Sequence, residues 1–214
     1  MTTTEIAQKI EDNAKNIIDN LSHESIEVYK FLKDEFHKGN IKENYLFQFV
    51  FRNFYRLDNA GLTDEFKTTY FELLEYYRNQ SNIDSEEVLV KLYVKKNHKG
   101  QPTLQFSFVT KLLNTINDSI PIYDSQVSKL FSMSRPTYKD LAQSIDTYLD
   151  YLETIQVAYN KIINDNLLPE SIALFNTKFK DNNLSEIKKI DFIFWSAGKL
   201  EIKKEKEGKA VRQA

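Results

Sequence analysis

The chain has 214 residues, 41% of them hydrophobic and 13% aromatic, with 29 basic and 31 acidic side chains and a formal net charge of −2. That apolar content excludes global disorder. With no cysteine, disulfide scaffolds, thiolate zinc sites, iron–sulfur clusters and cysteine nucleophiles are excluded as well. The only histidines are His23, His37 and His98, too few for a multi-histidine metal centre. The N-terminus shows no basic region followed by an apolar stretch. The longest apolar runs, such as Ile193-Phe194-Trp195, are far too short to span a bilayer. No membrane partner is expected, and the cytoplasm is the expected location.

Glycine (5) and proline (4) are scarce, leaving few helix breakers. Ile6, Ile10, Ala14, Ile17 and Leu21 step by three or four residues, as one helix face requires. Ile26, Tyr29, Leu32 and Phe36 repeat the pattern, with Gly39 placed for a C-cap of positive φ. The run from Tyr45 to Leu57 is apolar nearly all round, which predicts a central buried helix stopped near Gly61. Thr63 then opens a helix with Asp64 and Glu65 in its first turn, where the macrodipole favours acids. Ser85-Glu-Glu-Val88 reads as another start, running towards Lys95. Val88 to Val94 is the most strand-like piece of the chain.

Asn97-His98-Lys99-Gly100-Gln101-Pro102 reads as a polar loop. Leu104 to Ile116 is helical, Pro121 breaks the chain, and a short helix follows from Ser125 to Phe131. A long helix is expected from about Tyr138 to Asn164 and a short one from Pro169. The last runs from Ser185 to Ala197 and stops at Gly198. The fold class is therefore all-α, a compact bundle of about nine or ten helices. Residues 1–202 form one all-helical domain, which two packed lobes of about 1–100 and 101–202 could compose. The alternating Lys/Glu segment 203–214 is expected to be a disordered charged tail.

Phosphate-binding glycine loops, paired-histidine zinc helices and serine nucleophile elbows are all missing. The informative segment is Ser107-Phe-Val-Thr-Lys111, continuing to Pro121-Ile-Tyr-Asp124-Ser-Gln-Val127. Leu104, Phe108, Leu112 and Ile116 define an apolar face, and Lys111 lies one step off it. A lysine there either snorkels to solvent or projects into a cleft. Asp124 or Ser125 falls at the N-cap of the following helix. Asp124 is then either a capping carboxylate or a functional one.

Ile122-Tyr123-Asp124-Ser125-Gln126-Val127 resembles the Asp-bearing element of the helix–hairpin–helix (HhH-GPD) DNA glycosylase superfamily. Asp124 stands at the position of the family aspartate, and Lys111 resembles the family lysine by type and order. No Leu-Pro-Gly-Val-Gly-like hairpin precedes Lys111. The resemblance implies a two-lobed helical architecture and excision of an everted base from duplex DNA. It implies that the Asp124 carboxylate stabilises an oxocarbenium-like sugar, with water or the Lys111 amine as nucleophile. It calls for no metal or organic cofactor.

Further candidates come from residue type and position. Arg52, Tyr55, Arg56 and Asp58 are polar groups at the end of an apolar helix, with Arg52 and Arg56 one turn apart. They either satisfy a helix C-terminus and a turn or line a substrate pocket beside Tyr123 and Trp195. Trp195 is either a core aromatic or a stacking surface for an extruded base. Lys95, Lys96, His98, Lys99, Gln126 and Lys199 are the candidates for contact with the DNA backbone. The Asn97–Gln101 loop could hold a phosphate through its backbone N–H groups.

The expectation is a DNA glycosylase-like hydrolase, acting in repair or in anti-phage defence, with a monomer favoured. The alternative is a non-catalytic helical adaptor or regulatory protein in which Asp124 only caps a helix.

Overall fold

The computed structural model describes the backbone of residues 1–212 and the side chains of residues 1–201. The expectation for the 203–214 tail lies outside the described side chains. Among the described residues the chain is all-α. The helices are α1 (Thr3–Glu11), α2 (Ala14–Asp19), α3 (His23–Lys38), α4 (Tyr45–Tyr55), α5 (Asp64–Tyr76) and α6 (Ser85–Tyr93). They continue as α7 (Phe106–Ile116), α8 (Ser125–Leu130), α9 (Leu141–Asn164), α10 (Pro169–Lys178) and α11 (Glu186–Arg212). A 3-10 turn at Leu57–Asn59 follows α4. An isolated bridge between Leu62 and Asn97 is the nearest approach to a sheet among these residues. The most strand-like stretch, Val88 to Val94, is helical: Asp84 caps α6, its Oδ1 accepting from Glu86 N (2.9 Å) and Glu87 N (3.2 Å).

The chain divides into two compact units, 1–23 with 121–137 and 151–214, and 24–120 with 138–150. They interleave along the sequence instead of meeting at one boundary near residue 100.

In the first unit, the stripe from Ile6 to Leu21 is carried by two helices and not one. Asn13 leaves helical geometry (φ −122°, ψ 15°), and its Nδ2 donates to Lys9 O at 3.0 Å. This is the competition by which a short polar side chain interrupts a helix. The stripe survives the break, because Ile6, Ile10, Ala14, Ile17 and Leu21 are all buried.

Charged side chains from distant segments close the helix ends here. Leu168 provides no cap for α10, so Glu11 does, its two oxygens accepting from Glu170 N (2.9 Å) and Ser171 N (3.0 Å). Lys178 Nζ donates to the carbonyls of Ile18 (2.8 Å), Asp19 (3.1 Å) and Leu21 (2.7 Å). They lie at and just beyond the end of α2, where a positive charge also suits the helix dipole.

Helix α11 runs straight through Gly198 instead of stopping there. The glycine serves packing: a Cβ at that position would sit 2.2 Å from Gln126 O. Only a residue without a side chain lets α11 approach the backbone of α8 so closely.

The second unit is built around aromatics. Phe51 lies 4.6 Å from the Tyr55 ring, 5.7 Å from Tyr70 and 5.6 Å from Phe71 by centroids. The buried Tyr70 hydroxyl donates to Phe108 O at 2.9 Å. Helix α4 is not buried all round, contrary to its composition. It covers Phe47, Phe51 and Tyr55 but leaves Tyr45, Leu46 and Phe49 77%, 61% and 57% exposed. Two glycine expectations change as well. Arg56, at φ 60°, ends α4 in the left-handed conformation, ahead of Gly61. Gly39 is not among the positive-φ residues; its carbonyl instead accepts from Arg78 Nη2 at 2.6 Å.

Candidate functional site

Pro121 to Asp124 is the entry to α8, and Asp124 is extended (φ −143°, ψ 178°). Its Oδ1 accepts from Gln126 N (2.8 Å) and Val127 N (3.0 Å), as an N-cap does. The side chain is half-buried, and its Oδ2 accepts no hydrogen bond among the described residues. Beside it, Tyr123 is buried and stacked on Tyr151, with centroids 6.1 Å apart and planes at 15°.

Beneath this segment lies a group of ionisable residues that sequence reasoning missed. Asp191, on α11, is buried, and its Oδ1 accepts from Ile122 N at 3.2 Å. The carboxylate thus pins the extended stretch that presents Asp124. Its Oδ2 lies 3.5 Å from Lys188 Nζ, one turn back on the same helix, and both side chains are buried, 3% and 5% exposed. Burial pushes the Asp191 carboxyl up to about 6. Lys188 and the Ile122 N–H oppose that rise, and the negative charge of Asp124 adds to it.

Tyr159 on α9 is fully buried, with its hydroxyl close to the Asp191 carboxylate. Its pKa is pushed well above the ordinary phenol value by burial first, then by the charges of Asp191 and Asp124. Asp124, Asp191, Lys188 and Tyr159 therefore form one electrostatically linked cluster within the first unit. Its signal was present in the sequence: Asp191 interrupts the apolar run from Ile190 to Trp195, with Lys188 at the i−3 position.

No protein-family model, curated protein or solved structure matches the chain.

Asp124, Tyr123, Gln126, Trp195 and Lys199 fall in the first unit, and Lys111, Arg52, Tyr55, Arg56, Asp58, Lys95, Lys96, His98 and Lys99 in the second. In the first, Lys199 Nζ sits 4.9 Å over the half-buried Trp195 ring, one turn away on α11. Gln126 donates weakly to Ser125 Oγ (3.4 Å), while its buried Oε1 has no partner among the described residues. A cavity of about 500 Å³ in the same unit is lined by Ile6, Ile10, Ile17, Leu130, Ala197 and Leu200, among others. None of the sequence candidates lines it.

In the second unit Lys111 is half-buried. Its Nζ donates to Ser107 Oγ (3.1 Å) and faces the rings of Phe108 (4.9 Å) and Tyr55 (5.7 Å). Arg52 and Arg56 do not act as a pair. Arg52 Nε bonds Asp58 Oδ2 at 3.1 Å, and Asp58 Oδ1 accepts from Lys67 at 3.2 Å. Arg56 follows the break in helical geometry and is exposed. Burial alone would raise the Asp58 carboxyl; the bonds from Arg52 and Lys67 outweigh it and hold the carboxyl below its usual range.

The loop around Gly100 cannot cradle a phosphate with its backbone, because every N–H there is engaged. Asn97 N donates to Gln101 O, His98 N to Gly61 O and Gly100 N to Asn97 O. Lys99 N and Gln101 N both donate to Asn97 Oδ1. Of the basic side chains, Lys95 is tied to Glu65 at 2.8 Å, while Lys96, His98 and Lys99 are exposed. No group of three or more metal-ligating side chains occurs among the described residues.

Proposed function

We propose that the chain is a DNA glycosylase-like hydrolase, cleaving the N-glycosidic bond of a damaged or modified base with Asp124 as the working carboxylate. One observation carries this reading. Asp124 is anchored through one oxygen by two backbone N–H groups, leaving the other without a hydrogen bond, on a segment pinned from below by Asp191. A carboxylate fixed in this way stabilises positive charge developing on a sugar without reorganising. As the bond between sugar and base breaks, its electron pair leaves with the base. Water adds to the sugar cation, losing a proton to Asp124 or to solvent. Tyr123 and Trp195 are the candidate pocket aromatics of the same unit, and Lys199 and Gln126 are its candidates for contact with the DNA backbone.

A non-catalytic adaptor is the second reading, favoured by the exposed aromatic face of α4. The two are separated by incubating wild type and Asp124→Asn with duplex DNA carrying a panel of damaged and modified bases, then scoring abasic sites by alkali cleavage. Asparagine caps helices as well as aspartate does. Loss of activity in Asp124→Asn with an unchanged melting curve therefore assigns the chemistry to the carboxylate. No abasic product from folded wild type, with working controls, refutes the hydrolase.

A further inference from the structure

The first unit contains a cavity that the proposed site leaves unused. It holds about 500 Å³ and is lined by residues of α1, α2, α8 and α11, all within that unit. Its residues fall in two layers. Ile6, Ile10, Ile17, Leu130 and Ala197 are buried and purely aliphatic. Lys9, Asn16 and Asp19 are exposed, while Asn13 and Glu201 are half-buried. The floor is thus hydrocarbon, and the polar groups belong to the rim.

The rim decides the charge of the occupant. Asp19 is paired with Lys15 at 2.7 Å. The Met1 amine acts on Glu5, helping to hold its carboxyl down. Lys9 and Glu201 carry opposite signs. No net charge is left among these groups to select an anion or a cation. Of the two amides, Asn13 already donates to Lys9 O at 3.0 Å. An aliphatic floor offers a polar ligand no hydrogen-bond partner, and burying a polar group without one is unfavourable. The occupant that loses nothing on entry is uncharged and mostly hydrocarbon.

The volume sets its size. A cavity of about 500 Å³ falls within the roughly 300–1,000 Å³ of small-molecule sites. An apolar cavity of about 150 Å³ takes one benzene, so this one has room for roughly 15–20 non-hydrogen atoms. We propose that the cavity is a binding site for a small, uncharged, hydrophobic molecule of that size, aromatic or alkyl. The proposal goes beyond the hydrolase reading and is independent of it, because neither Asp124 nor Tyr123 nor Trp195 lines the cavity.

The test uses two fluorescent probes that share the same rings and brighten in apolar surroundings. Phenylnaphthylamine is uncharged, and anilinonaphthalene sulfonate adds one negative charge. Titration of the full chain with phenylnaphthylamine should saturate at a single site. The sulfonate should bind it about tenfold or more weakly, because its charge must be desolvated. Ala197→Leu, which fills the cavity from α11, should weaken phenylnaphthylamine by about tenfold or more at unchanged helicity. Phe49→Asp, on the exposed apolar face of α4, should bind the probe as wild type does. In wild type itself, saturation with the probe should shift the methyl resonances of Ile6, Ile10 and Ile17, a reading that stands even where Ala197→Leu fails to fold. Absence of saturable binding overturns the proposal. So does full binding by folded Ala197→Leu, loss of binding in Phe49→Asp, or methyl shifts that spare all three isoleucines. Equal or tighter binding of the sulfonate at this site overturns the uncharged class.

Discussion

Asp191→Asn isolates the buried carboxyl beneath Asp124. The folded chain raises this group from 3.8 to about 6, so the native state holds its proton more tightly than the unfolded state. The corresponding stability is fully present below about pH 4 and is lost as pH rises through about 6. A shift of about 2 units at about 1.4 kcal/mol each gives on the order of 3 kcal/mol. Asparagine keeps the acceptor for Ile122 N but cannot ionise. At about pH 4 both proteins present a neutral group to Lys188; by about pH 7 only wild type carries a desolvated anion.

The variant should therefore gain on wild type by on the order of 3 kcal/mol between about pH 4 and about pH 7. Urea unfolding at a series of pH values, followed by Trp195 fluorescence, measures this directly. Trp195 is the only tryptophan and lies one turn from Asp191 on α11. A pH-independent difference would refute the reasoning. So would a gain by wild type as pH rises, which would mean that the attraction of Lys188 outweighs desolvation.

Two further outcomes follow from the packing of the first unit. Gly198→Ala ordinarily adds about 1 kcal/mol to a helix. Here the new methyl meets the Gln126 carbonyl at 2.2 Å, and overpacking against backbone typically costs ~1–3 kcal/mol. The variant should show a net loss in urea unfolding, and a gain would mean that α8 yields freely. Lys178→Met retains the side-chain stem but removes the ammonium donor from the carbonyls of Asp19 and Leu21, and from Ile18 O, which keeps its backbone bond from Leu21 N. It should lose about 1–3 kcal/mol, with amide exchange rising first in α2; uniform exchange across the first unit would contradict a local capping role.

The helical nature of the chain was legible because apolar periodicity runs almost unbroken and glycine and proline are rare. What escaped was decided by single tertiary contacts. Gly198 looks like a stop signal, and nothing local reveals that the α8 backbone lies against it. Asn13 divides a continuous stripe by bonding back to Lys9 O. Helix α4 is apolar nearly all round, so composition alone could not tell which face would be left outside. In the site, Asp124 could be placed at an N-cap from the sequence, because capping is local. Asp191 and Tyr159 could not be joined to it, since they come from helices far along the chain. The loop at Asn97 failed as a phosphate cradle for a related reason: Asn97 Oδ1 and Gly61 O occupy the very N–H groups that a phosphate would need.

The interleaving of the two units has a consequence for the order of synthesis. Helices α1 and α2 are made well before their partners α10 and α11. Ser196 Oγ reaches back 179 positions to Ile17 O, and Ser171 N reaches back 160 to Glu11. Contacts of such separation are slow to form. While residues 24–120 are being made, the apolar stripe from Ile6 to Leu21 has nothing of its own unit to cover it. That stripe thus stays uncovered until α10 and α11 are made, and exposed apolar surface of this kind invites chaperone binding and misassembly between chains.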